Sequence, residues 1–210
     1  MKISPTLTEV KEIAKTGKYD ILPVSCEILS DFITPIEAMR ILRNVSTHSY
    51  LLESAQANEA WGRYTFLGYD PKLEINCIDG HMKLGKLSVE TENPSEYIRQ
   101  ILSEYKSPKF DYLPSFTGGL VGYFSYDYLG YKEKCIRGKA RDTEDFKDVD
   151  LMLFDKVIAF DNLCQKIILI ANMSLDAPET GYNKAIVELK QLRELLMHGE
   201  KKQNMGGKLL

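Results

Sequence analysis

A carboxylate, a hydroxyl and a guanidinium lie close together in the stretch HSYLLESAQANEAWGRYTFLGYDP, residues 48 to 71. Glu53 and Ser54 end the apolar run Tyr50-Leu51-Leu52, and Arg63 follows just past the next turn. A strand whose inward residues run into a carboxylate must open it to water or give it partners, because burying it unpaired costs several kcal/mol. Glu53 can accept from an ammonium group, Ser54 offers one donor and two acceptors, and Arg63 can grip a carboxylate with two parallel bonds. Such a set suits a zwitterion like an amino acid, with the surrounding aromatic and aliphatic residues as its apolar wall. The plainer reading is a surface ion pair between Glu53 and Arg63, worth ~0–1 kcal/mol. The residues alone leave both readings open.

Elsewhere little chemistry is spelled out. His48, His81 and His198 are far apart and beside no obvious nucleophile, and no G-x-S-x-G, H-E-x-x-H or Walker sequence occurs. TGGLVGY lacks the G-x-G-x-x-G spacing and runs on into β-favouring aromatics, so it has no helix N-terminus to hold a phosphate. Gly118, Gly119 and Gly122 are read instead as places where a neighbouring backbone or side chain comes close. Asp127, after Tyr126, reads as a turn residue. Cys26, Cys77, Cys135 and Cys164 form no C-x-x-C pair, and no His-x-x-x-His stands near them, so they are expected to be reduced thiols without a metal.

The elements that must position these residues are well signalled. Val10, Ile13 and Ala14 share a face of a short helix stopped by Gly17. Thr34, Pro35 and Glu37 form a capping-box start for a second helix, whose apolar face would carry Ile36, Met39 and Leu42 or Ile41. LEINCIDG and HMKLGKLSVET alternate like a meander, broken at Asp79-Gly80 and Gly85. Asn93, Pro94 and Glu96 open a third helix running to about Tyr105. DVDLMLFDKVIAFDNLCQKIILIANM reads as two long strands around an Asp161-Asn162 turn, and Tyr182, Ile186, Leu189, Leu192 and Leu196 mark a final helix. Strand runs separated by single helices predict an α+β fold, a mostly antiparallel β-sheet with helices packed on one side.

The 210 residues are 44% apolar and 27% charged with a net charge of -3, the profile of a folded soluble protein. Acids and bases interleave without a basic stripe, so no nucleic-acid partner is expected. No signal peptide and no run of ~20 apolar residues occurs, so no membrane contact and a cytoplasmic location are expected.

Taken in order, LPVSCEILSDFITPIEAMRIL, YLLESA, RYTFLGYDP, GGLVGYFSYD and the strand pair around AFDN resemble the N-terminal domain of anthranilate synthase component I. Aminodeoxychorismate synthase component I, of the folate pathway, shares much of this pattern; DFITPIEA favours the anthranilate enzyme. The resemblance implies a domain over 1–198 and, in 199–210, a truncated linker toward a C-terminal chorismate-binding domain that the sequence lacks. That domain would hold the magnesium and the catalytic residues, so this chain would have no cofactor, no metal, no catalytic residue and no synthase activity alone. In the full protein, a carbon-oxygen lyase, chorismate with ammonia or glutamine becomes anthranilate on the route to tryptophan, and a glutamine amidotransferase subunit, component II, is the partner. The implied role of this domain is feedback inhibition by L-tryptophan. Carried over by position, Leu52, Glu53 and Ser54 would contact the effector, with Ser54 foremost and Arg63 and Tyr64 from the following strand. A stand-alone amino-acid-binding or scaffold module is the remaining alternative.

Overall fold

Two threonines start the first two helices in the same way. Thr6 and Thr34 each accept from the backbone N–H three residues on, while Glu9 and Glu37 reach back to the cap, so orphan amides are satisfied at helix α1 (Leu7–Lys15) and helix α2 (Pro35–Val45). The computed structural model describes residues 1–53, 62–133 and 146–200, and Ser54, Trp61 and Cys135 lie outside them. The chain divides into two compact units. One comprises 1–70, 107–118 and 155–210, the other 71–106 and 119–154.

The first unit carries a six-stranded sheet in the order β1-β2-β11-β10-β4-β3, antiparallel throughout. Its strands are β1 (Ile3–Ser4), β2 (Ile21–Leu29), β3 (Ser49–Leu52), β4 (Tyr64–Tyr69), β10 (Lys156–Asp161) and β11 (Lys166–Ser174). On one face Val10 of α1, Ala38, Ile41 and Leu42 of α2, and Leu189 and Leu192 of helix α4 (Pro178–His198) pack against Leu22, Val24, Leu67, Ile158, Phe160 and Leu169. The alternate residues Val157, Ala159, Ile168 and Ile170 are buried on the other face, beneath Phe110, Leu113 and Phe116. Both faces of the central strands are covered, which is why VIAF and IILIA are continuous apolar runs.

The second unit is a five-stranded antiparallel sheet, β7-β6-β5-β9-β8, formed by β5 (Leu73–Ile78), β6 (His81–Leu84), β7 (Leu87–Glu90), β8 (Gly119–Phe124) and β9 (Val149–Phe154). Ile98 of helix α3 (Pro94–Ser103) packs against Ile75, Cys77, Met82, Val149 and Leu151. Asp79 and Gly80 both take positive φ, 49° and 85°, as a two-residue hairpin of matching twist requires. Asp148 and Tyr131 pin that turn: the Tyr131 hydroxyl donates to Asp148 Oδ2 (2.7 Å), and the amides of Asp79 and Gly80 donate to Asp148 and Tyr131 (2.9 and 2.7 Å). At Gly122, φ is 154° and an added Cβ would collide with the Asp150 carbonyl, the close approach that its glycines suggested.

The α+β expectation holds, with the antiparallel strands shared between two sheets. Three local readings change. DVDLMLFDKVIAFD is two strands, β9 and β10, in different sheets; both are apolar, so only Asp155-Lys156 marks the break. Ile36 is exposed, because the buried stripe of α2 is Ala38, Ile41 and Leu42. Asn93 makes no side-chain cap; its side-chain Nδ2 donates to Glu96 Oε1 (2.6 Å) and its Oδ1 accepts from Ser95 Oγ (2.6 Å).

Candidate functional site at the end of the edge strand

Strand β3 is an edge of the six-stranded sheet, so its outer side meets no further strand among the described residues. Its pairing with β4 sets Leu51 opposite Leu67 and Leu52 opposite Phe66. Opposed residues share a face. Leu51 therefore points into the helix-covered core, and Leu52, 49% exposed, stands on the other face with Phe66 and Tyr64. Glu53, one residue on, is exposed and accepts a long bond from the Thr65 hydroxyl (3.5 Å). Thr65 alternates with Tyr64 and Phe66 and is fully buried. Leu52 and Glu53 thus lie on opposite faces, successive residues along the edge strand.

The apolar wall is aromatic. The Tyr64 and Phe66 rings lie 5.8 Å apart, Phe116 meets Phe66 edge-on at 5.6 Å, and Tyr50 meets Phe116 edge-on at 6.4 Å. Gly68, opposite Tyr50 in the register, leaves space for that ring, which a Cβ would invade. Burial pushes the Tyr50 hydroxyl well above the ordinary tyrosine value, so it stays neutral.

Arg63 has a different partner from the one its place in sequence suggested. Its Nε and Nη2 donate to Asp161 Oδ1 and Oδ2 (3.1 and 2.8 Å), and its guanidinium lies 4.8 Å from the Tyr64 ring centre. Asp161 ends β10 directly opposite Tyr64, and its side chain is wholly buried. It also accepts from the amides of Leu163 and Cys164 (3.2 and 3.0 Å), closing the turn into β11. Burial alone would raise this carboxyl, but the Arg63 hydrogen bond, the Cys164 amide and the guanidinium charge together hold it below the usual aspartate value. The Asp161 bonds raise the Arg63 guanidinium further above its already high value. Arg63 is thus committed within the sheet, and Glu53 is a charged acceptor at the edge.

Of the five residues singled out from sequence, Leu52, Glu53, Arg63 and Tyr64 converge at the ends of β3 and β4; Ser54 lies outside the described residues. Asp161, Asn162 and Thr65 were missed. Their signal was faint: an Asp-Asn pair closing an apolar strand and a threonine inside one. Among the described residues no group of three or more His, Cys, Asp or Glu is placed to hold a metal, and no helix is long and apolar enough to cross a membrane.

Fold and site together define a class: a two-sheet antiparallel α+β protein whose candidate ligand contacts are an acid and an apolar wall at an edge strand. No family model matches the chain. It is 36% identical over 196 residues to anthranilate synthase component 1 of Pseudomonas aeruginosa, a match covering 90% of this chain and 39% of that protein. For anthranilate synthase component 1 of Acetivibrio thermocellus, identity is 33% over 198 residues, covering 91% and 39%. The crystal structure of anthranilate synthase component I from Streptococcus pneumoniae TIGR4 aligns with a TM-score of 0.51 and 25% identity, over 79% of this chain and 36% of that one. The chain belongs with anthranilate synthase component I, whose members it matches over their N-terminal part. It spans 39% of the length of these two curated relatives.

Proposed function

We propose that this chain is the effector-sensing part of an anthranilate synthase, binding L-tryptophan at the free edge of β3. The observation that carries the reading is the Glu53 carboxylate, exposed at that edge beside Leu52 and free of the Arg63 guanidinium. Glu53 would take the ammonium group, and Leu52 with the Tyr64 side would supply apolar contact. Ser54 would add a hydroxyl for the ligand's polar end. Arg63, spent on Asp161, would shape the site without gripping the ligand.

In this reading the chemistry belongs to the remainder of the full protein, which would bind chorismate and magnesium and draw ammonia from the glutaminase subunit, component II. The chain alone would catalyse nothing. Tryptophan would inhibit by favouring one of two states of the whole enzyme, which requires different affinity for the two. Couplings of this kind are typically about 1–3 kcal/mol.

Calorimetric titration of the chain tests the site. L-tryptophan should bind, and N-acetyl-tryptophan, which lacks the ammonium group, should not. Glu53→Gln should weaken tryptophan by about tenfold, the loss of one charge-assisted hydrogen bond. Equal binding of both ligands would remove Glu53 from the role. In a full-length anthranilate synthase carrying this N-terminal part, Ser54→Ala should relieve inhibition by tryptophan, and unchanged inhibition would remove Ser54.

A further inference from the structure

Strand β3 ends at Leu52 and β4 begins at Tyr64, and one turn, 98 residues after Arg63, touches Gly62 and Arg63 directly and reaches Glu53 through Thr65. Asp161 holds Arg63 through the paired bonds already described. Asn162 adds three more. Its backbone N–H donates to the Arg63 carbonyl (2.8 Å), carrying the β10 to β4 ladder one step past the strand end. Its side-chain Nδ2 donates to the Gly62 carbonyl (3.4 Å) and to Thr65 Oγ1 (3.3 Å).

The Thr65 contact extends the reach of the turn. A hydroxyl that accepts from an amide can donate its own hydrogen onward, and the Thr65 hydroxyl donates to Glu53 Oε1 over a long 3.5 Å. Asn162, Thr65 and Glu53 therefore form a relay in which each group donates to the next, with Thr65 fully buried between two exposed ends. One carboxylate oxygen of Glu53 is oriented by the relay. The other has no partner among the described residues.

We propose that Asp161 and Asn162 are positioning residues for the effector site, setting the orientation of the Glu53 carboxylate and the return point of the β3 to β4 segment without touching the ligand. The proposal rests on the reading that Glu53 contacts an amino-acid effector. Asp161 and Asn162 together hold the returning end, through Arg63 and Gly62, and Asn162 also reaches Glu53 through Thr65.

Two measurements on the 210-residue chain decide it. The first is L-tryptophan affinity in Asn162→Ala, Thr65→Val and Thr65→Ser, with thermal unfolding recorded for each. Asn162 is exposed and at negative φ, so its truncation leaves the fold intact. Thr65→Val should weaken tryptophan by about tenfold, the cost of one lost hydrogen bond to a charged group, and Asn162→Ala by less, because its lost bonds join neutral groups, while Thr65→Ser retains the wild-type affinity. Affinity that follows the melting temperature instead of the hydroxyl would overturn the relay. The second is amide hydrogen exchange without ligand. In Asn162→Ala, exchange at the backbone amide of residue 162, which donates to the Arg63 carbonyl, should accelerate while Ile168 and Leu169 in β11 keep their wild-type rates; no local change, or a uniform one, overturns the proposal. Should wild-type protein ignore tryptophan, the effector reading falls, and the exchange result alone decides whether the turn holds the returning end at Arg63.

Discussion

Asp161 is a carboxylate with no solvent exposure, satisfied by one cation and two turn amides. Its depressed pKa means that its contribution to stability is complete above the ordinary aspartate value of about 4 and fades as pH falls through the lower, folded value. Arg63→Met should destabilise the chain at pH 7 by about 3 kcal/mol, near the low end for stripping a buried charge of its partner, because the Arg63 side chain is 37% exposed. Urea titrations at successively lower pH should show that gap narrowing in acid, as Asp161 takes up a proton and no longer needs the cation. Cys26 behaves oppositely: burial pushes its thiol up to about 11, so the stability it contributes persists below the unfolded value near 9 and is lost between the two. At pH 8 a thiol reagent should modify exposed Cys164 and spare buried Cys26 and Cys77 until the chain unfolds, as peptide mapping would show. The pairing of Arg63 was not legible in the sequence. Glu53 and Arg63 are neighbours along the chain, whereas Asp161 is brought to Arg63 only by the register of β10 on β4.

Elements whose signals are local were readable. Both capping boxes complete their hydrogen bonds within three residues, the β5–β6 ladder closes across the Asp79-Gly80 turn, and the second box and the hairpin stand where their letters put them. Thr34→Ala should cost about 1 kcal/mol, read as a lower melting temperature with the same helix content. Gly122→Ala should cost about 2 kcal/mol or more, because the obstacle is the Asp150 carbonyl, held in the β9 ladder, and φ there is one that L side chains rarely adopt. The division of DVDLMLFDKVIAFD between two sheets was not readable. Both halves are buried and apolar, so hydrophobic periodicity has nothing to mark except Asp155-Lys156. Asn93 misled for a similar reason: residue type suggests a cap, but its side-chain Nδ2 is held by Glu96 and its Oδ1 by Ser95.

At the scale of the molecule, each unit is assembled from separated pieces of chain, three for one and two for the other. The fold class could be anticipated from the spacing of strand runs, but the interleaving could not, since strand order depends on pairings that the alternation of side chains does not encode. Folding dominated by such distant pairings falls in the range of milliseconds to seconds, a rate that stopped-flow refolding would measure. Strand β11, at the centre of the larger sheet, covers the flank of β2, where Lys166 meets Glu27 139 residues after it. During synthesis at ~5–20 residues per second, ILPVSCEIL therefore leaves the ribosome roughly 7–30 s before its central partner exists. For that interval the nascent chain carries an unclosed apolar strand, and a polypeptide stopped at residue 165 should be retained by chaperones or sediment as aggregate, whereas the full chain folds around the strand it was waiting for.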